Sequence, residues 1–317
     1  MTLHRLDAAP ETIRVGVIDR SHPAVLSVDA GDEVELSTLG LWAGEVEFGA
    51  SFEEVMRIRA RHAGAGPHSI TGPIAVRGAR AGQVLRVDIL ELDVGPIGMN
   101  LMAPGAVSRG LLAAGFAQGS VRHFRFDRTR GIVSFAEGIE LPLRPFLGIL
   151  GVAPADEGAH TSVVPGPFGG NIDCAELVAG TTLYLPIFVD EALFYAGDAH
   201  AMQGHGEVNG TALETSMERA RLRLSVEPHW SIAAPQAETP AHWITMDFDR
   251  DLRSAATRAL AAMVERIARC TRLTREDAYR LCSLAGDLII TQVANGNQGV
   301  HLRLPRKFLP ATAPARP

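Results

Sequence analysis

Eleven residues, GDAHAMQGHGE at positions 197–207, crowd ionisable groups among small neighbours. They offer Asp198, His200, Gln203, His205 and Glu207. A second glycine-rich stretch, PGPFGGNIDC at 165–174, adds Asn171, Asp173 and Cys174. Carboxylates with one or two imidazoles form a donor set for a divalent ion such as zinc or manganese. Calcium suits the set where carboxylates and carbonyls dominate. Glycines let the backbone approach a ligand or take positive φ. Asp198 and His200 are two apart, so an extended segment points both to one face. A metal would also offset the mutual repulsion of several acids.

Blander readings compete residue by residue. Asp and Asn in glycine-rich turns often only cap the turn, and D-x-H is a weak motif. The joint occurrence in two short loops beside strands is harder to dismiss. His68, in GPHSITGP, is a third candidate ligand. Cys174 is the obvious nucleophile candidate, but thiolate formation needs a base or a positive field, and the adjacent Asp173 opposes it. Cys270 and Cys282 fall on apolar helix faces. GHGEVNG lacks the spacing of a dinucleotide fingerprint.

Composition narrows the chemistry. The chain has 317 residues, 46 % of them hydrophobic, and a formal charge of −6, as expected of a globular protein that does not bind nucleic acid. No apolar run is long enough to span a membrane, and the first residues lack a signal peptide's apolar core. The expectation is therefore a cytoplasmic location without membrane partners. Lys307 is the sole lysine. Arginine does not shed its proton as a desolvated lysine can, so Schiff-base, Ser–Lys and Cys–Glu–Lys mechanisms are poor candidates.

The elements that must position these residues read mainly as strands. AVLSVD and EVELSTL flank the turn AGD as a hairpin signal. SFEE is a capping box opening a helix to about Arg61. GPIAVRG and VLRVDILEL form another strand–turn–strand unit. FLGILGVAP suits a buried strand, TTLYLPIFV and ALFYAG are strand candidates, and RLRLSV alternates. Leu252, Ala256, Leu260, Met263 and Ile267 form an amphipathic helical stripe. TRED caps a second helix ending near Gly286, and DLIITQVA–NGNQG–VHLRLP reads as a hairpin. The expectation is a mainly β protein. A sandwich or barrel-like core over 1–235 would carry the chemistry, in one or two β subdomains, and 236–317 would form a small α+β unit.

These segments resemble the acetamidase/formamidase family. The likeness rests on HSITGPIAVRGARAGQVLRVDIL, PGPFGGNIDC, LYLPIFVDEALFYAGDAHAMQGHGEVNGTALETS, AYRLCSLAGDLIITQV and GVHLRLP, in the family's order from about 20 to 305. It implies hydrolysis of short carboxamides, formamide- or acetamide-like, to a carboxylate and ammonia. It also implies a mainly β fold, metal dependence and a homo-oligomer. Asn171, Asp173, Asp198, His200, Gln203 and Glu207 match the family's polar motif residues, and His68 matches the histidine before its TGP turn. One departure stands out, because His205 occupies the place of an acid in the family's GDGE.

On that resemblance, Asp173, Asp198, His200 and His68 hold a divalent ion, zinc first, with calcium and manganese as alternatives. Glu207 is the general base, and Asn171 and Gln203 donate hydrogen bonds to the developing oxyanion. Two rivals are a Cys174-dependent amide hydrolase and a metal-stabilised β-protein that binds a small ligand without turning it over.

Overall fold

The computed structural model describes residues 1–105 and 109–309. The fold is mainly β, with three α-helices among the described residues. Most strand pairings are antiparallel. The exceptions are Leu3–Leu6 with Asp32–Thr38 and Leu26–Asp29 with Ser69–Arg77. The largest apolar core is built from alternating strand positions such as Val34, Leu36, Ile70, Ile74, Leu85 and Val87.

Neighbours in sequence are not neighbours in the sheet. The segments flanking AGD do not form the expected hairpin. Leu26–Asp29 runs parallel to Ser69–Arg77, while Asp32–Thr38 lies against Leu3–Leu6 and Glu214–Glu227. Alternation tells which face is buried, not which strand lies alongside. Here the Asp32 carboxylate accepts from the Thr2 amide at 2.6 Å, and the Gly31 amide donates to the Leu224 carbonyl at 2.6 Å. These bonds send the two halves to different partners. Ser69–Arg77 and Val84–Met102 part in the same way.

The strand that matters most is Phe194–His200, buried throughout. Phe146–Gly151 flanks it on one side, with Phe146 opposite His200 and Ile149 opposite Gly197. Ser69–Arg77 and then the start of Glu214–Glu227 flank the other, with Gly197 opposite Ile70 and His200 opposite Glu214. Gly197 is required, because a Cβ there would lie 2.4 Å from the Ser69 carbonyl oxygen.

The helices follow their caps. α1, Phe52–Arg61, opens on a complete Ser51/Glu54 capping box. α2, Leu252–Cys270, and α3, Arg275–Ala285, start at Asp251 and Thr274, whose side chains accept from the third helical amide. In α2 the fully buried line is Ala255, Ala259, Met263 and Ile267, rotated slightly from Leu252, Ala256 and Leu260, which lie partly exposed. α2 and α3 pack on Gln298–Pro305, and α2 also on His242–Asp249. Gln298–Pro305 pairs antiparallel with Asp287–Gln292, the expected C-terminal hairpin. Strand Gln236–Glu238 hydrogen-bonds to both Thr181–Pro186 and His242–Asp249, joining this region to the rest. No helix among the described residues is long and apolar enough to cross a membrane.

Asp251→Ala should cost about 1 kcal/mol of unfolding free energy by removing the α2 cap. Urea denaturation checks it, and an unchanged midpoint contradicts a stabilising role for the cap.

Candidate active site

Asp173, Asp198 and His200 meet in the interior, each at most 4 % exposed. One potential ligand atom from each lies within 4.8 Å of the others. The strand Phe194–His200 runs further than the sequence pattern indicated and carries Asp198 and His200 itself. Gly169–Asn171, within the stretch read as a loop, pairs with Ile149–Gly151 and delivers Asp173 just beyond its end. Gln203 and Glu207 follow on the next loop.

His200 is the hub. Its Nε2 lies 3.2 Å from Asp198 Oδ2 and 3.3 Å from Glu214 Oε2, and its Nδ1 lies 3.8 Å from Asp173 Oδ1. None of these contacts has a hydrogen bond's alignment, so both ring nitrogens lack a hydrogen-bond partner. Phe146 packs edge-on against the ring at 4.9 Å. His68 approaches Asp198 Oδ2 at 3.9 Å with Nε2, while its Nδ1 is bonded to Ser162 Oγ at 2.7 Å.

The electrostatics are those of a crowded anionic pocket. Burial pushes Asp173 and Glu207 well above the usual carboxylate range, and the neighbouring carboxylates push them further. Burial also works against ionisation of Asp198, yet the charges of His68 and His200 outweigh it and hold that carboxyl down to about 2. Desolvation opposes the charged form of His200, but Glu214 and Asp198 raise it well above the ordinary value. Four carboxylates thus share the company of two imidazoles.

Several atoms await a partner. Asp173 Oδ1, Asp198 Oδ1, Glu207 Oε2, Asn171 Oδ1 and Gln203 Oε1 are buried without a hydrogen bond. Buried polar atoms are normally satisfied, so the orphan oxygens of Asp173 and Asp198 beside the two orphan nitrogens of His200 mark a place for a ligand. The donors are oxygens and imidazole, which fits a divalent ion. The backbone has been bent for the purpose. Asp173, Asp198 and Glu207 take φ of 50°, 57° and 45°, a region that costs of order 1–3 kcal/mol for a non-glycine residue and clusters at functional sites. Gly148 keeps space open, since a Cβ there would lie 2.5 Å from Asp173 Oδ1 and 2.6 Å from Asp198 Oδ2.

The sequence reading missed three members. Glu214 is buried beside His200. Only the register that sets it opposite His200 exposes its role. Asn295, read as part of a turn, donates through Nδ2 to Asp173 Oδ2. Gly148 looked like an ordinary residue of an apolar strand. Two expected residues lie differently from their assigned parts. His205 points away, its Nε2 3.3 Å from Glu176 Oε1. Cys174 is fully buried, and burial pushes its thiol up to about 12. Gln203 Nε2 already donates to the Asp173 carbonyl at 2.9 Å, and Asn171 Nδ2 to the Val163 carbonyl at 3.4 Å.

Comparison with known proteins adds the lineage. The model of the Acetamidase/Formamidase family matches residues 8–161 and 155–308. The chain belongs to this family. The acetamidase of Bacillus halodurans shares the fold with a TM-score of 0.87 and 30 % identity, over 96 % of this chain and 98 % of that one. A recombinant predicted acetamidase/formamidase from Thermoanaerobacter tengcongensis aligns with a TM-score of 0.84 and 27 % identity, over 97 % and 96 % of the two chains. Among curated relatives, the acetamidase of Mycolicibacterium smegmatis is 25 % identical over 59 % of this chain and 59 % of its own length. The formamidase of Methylophilus methylotrophus is 25 % identical over 59 % of this chain and 57 % of its own length. The chain thus spans under two thirds of the curated relatives it matches.

Two tests follow from the geometry. Asp173 and Glu207 hold their protons more tightly folded than unfolded. Their stabilising share is complete below the unfolded carboxylate range, about pH 4, and is lost as pH rises through the raised folded values. His200 has the same sign, its share being lost above about pH 6.5. Asp198 has the opposite sign but acts only below about pH 4. The melting temperature of chelator-treated protein should therefore fall between about pH 5 and 8, and fall less in Glu207→Gln. A rise over that interval contradicts the reading. Gly148→Ala should weaken metal binding at least tenfold while leaving the circular dichroism spectrum intact. Unchanged affinity contradicts an open space there.

Proposed function

We propose that the protein is a metal-dependent amidohydrolase that cleaves short linear carboxamides to a carboxylate and ammonia. The observation that carries this is the buried group of Asp173, Asp198 and His200, rimmed by Glu207 and Glu214, with orphan oxygens and nitrogens facing one another. Asp173, Asp198 and His200 would hold the ion, with His68 alongside, and zinc suits this mixture of oxygen and imidazole donors best. A divalent ion held there would supply Lewis-acid polarisation of an amide carbonyl and a lowered pKa for water.

The chain's own groups supply the rest. Glu207 is the general base. It is buried beside Asp173 and His200, where its carboxylate can take a proton from water and return it to the leaving nitrogen. The committed amide nitrogens of Asn171 and Gln203 shift their role from the one first expected. Their open oxygens are suited to accept from the substrate's NH2 group, orienting it, rather than to donate to an oxyanion. A cleft of about 270 Å³ bounded by Leu41, Phe48, Met99 and His123 includes Glu214 in its wall. It is the approach for a small acyl group. Exposed Leu284, Leu288 and Ile290 support assembly into a homo-oligomer.

A thiol route through Cys174 is disfavoured by its complete burial and its raised pKa. Ammonia release from formamide and acetamide tests the reading. Glu207→Gln should lower kcat by 10²-fold or more with metal content preserved, and Cys174→Ser should leave kcat within a few-fold of the parent. Full activity in Glu207→Gln removes the base from that residue. Abolished activity in Cys174→Ser revives the thiol route. Metal binding with no ammonia from any short amide supports a ligand-binding protein instead.

A further inference from the structure

A second cluster lies outside the group just described. Glu176, His205 and His301 each bring one ligand atom within 4.8 Å of the others. His301 is the informative member. It is 0 % exposed in the middle of Gln298–Pro305. Its Nδ1 is bonded to Thr291 Oγ1 at 2.8 Å, and Thr291 is itself buried. Its Nε2 has no hydrogen-bond partner. An imidazole with one nitrogen fixed by a hydrogen bond and the other free in the interior has the arrangement of a metal ligand, where the outer bond fixes ring orientation. Burial keeps this ring neutral, its pKa held down to about 3, and a neutral ring is what an ion needs.

The other two donors stand beside it. The rings of His205 and His301 lie 5.3 Å apart, and His205 Nε2 lies 3.3 Å from Glu176 Oε1. Arg303 Nη1 donates to the same oxygen at 2.9 Å but also holds Asp287 Oδ2 through Nε at 3.0 Å. A cation at the cluster therefore meets repulsion from a guanidinium that has a second carboxylate to rest on. Two imidazoles and one carboxylate are the three-ligand set that takes zinc with a position left for water.

We propose that Glu176, His205 and His301 form a second divalent-cation site that takes zinc. Two of the three donors lie on segments that matter to the interior group. Glu176 is three residues beyond Asp173, and His205 is two before Glu207. The loop is already tied by backbone bonds, Gly206 N to Thr291 O at 2.9 Å and Val293 N to Gly206 O at 3.1 Å. An ion at the cluster fastens the Asp173 and Glu207 segments to the Gln298–Pro305 strand through side chains as well. The three residues are positioning groups and do not touch the reacting atoms.

The test is zinc binding to the full chain by equilibrium dialysis with zinc chloride, together with X-ray absorption of the bound ion. His205 is partly exposed, and Glu176→Gln keeps the shape of its side chain, so both variants should fold. His205→Ala and Glu176→Gln should each bind one zinc equivalent fewer than the parent, or bind that equivalent at least tenfold more weakly. Asp198→Asn should retain an equivalent whose absorption spectrum reports two imidazoles. If the interior group takes no metal, the parent binds a single equivalent that His205→Ala removes, so the two readings stand or fall separately. The proposal is overturned if His205→Ala and Glu176→Gln match the parent in stoichiometry and affinity. It is equally overturned if Asp198→Asn binds no zinc.

Discussion

Four carboxylates and two imidazoles buried in one pocket are the constraint on which the centre of this protein depends. Asp173, Asp198, Glu207 and Glu214 cannot all ionise in a dry interior without a counter-charge, and among the described residues His200 and His68 stand beside them. Removing a charge from water costs several kcal/mol even after relaxation. Strands hold such a group in place, and its cost is met by protonation of Asp173 and Glu207 or by a bound cation. The strands do the holding. Phe194–His200 is hydrogen-bonded along both sides, so its two site residues cannot retreat. Left-handed backbone at three of the acids turns their side chains to a common point.

Much of this was legible in the sequence, and the limits were physical. The two polar loops named Asp173, Asp198, His200, Gln203 and Glu207, because so many polar groups occur together in two short glycine-rich stretches beside strands. The Ser51/Glu54 capping box, the Thr274 cap and the C-terminal hairpin were legible because they are local. Strand partners were not, as the AGD segment illustrates. A turn signal reports that the chain bends, and the Thr2–Asp32 and Gly31–Leu224 bonds that decide where it goes come from distant residues. Glu214 and Gly148 were hidden for the same reason. Each acquires its meaning from a neighbouring strand, opposite His200 in one case and beneath Asp173 and Asp198 in the other.

His205 shows how a single position can mean something other than its motif suggests. In sequence it sits inside the polar stretch and replaces an acid of the family pattern. In space it faces outward to Glu176 and His301, while Glu207, two residues on, faces inward. Positive φ at Gly206 and Glu207 makes that reversal. The loop thus divides its ionisable groups between two clusters, and the chemistry proposed for the inner one rests on Glu207 alone.

The most direct measurement is ammonia release from formamide and acetamide by protein of known metal content, followed through chelation and re-addition. Activity should disappear as the metal is removed and return with a divalent ion, zinc restoring it most fully. Activity that persists undiminished after complete removal of the metal would contradict the account at its centre.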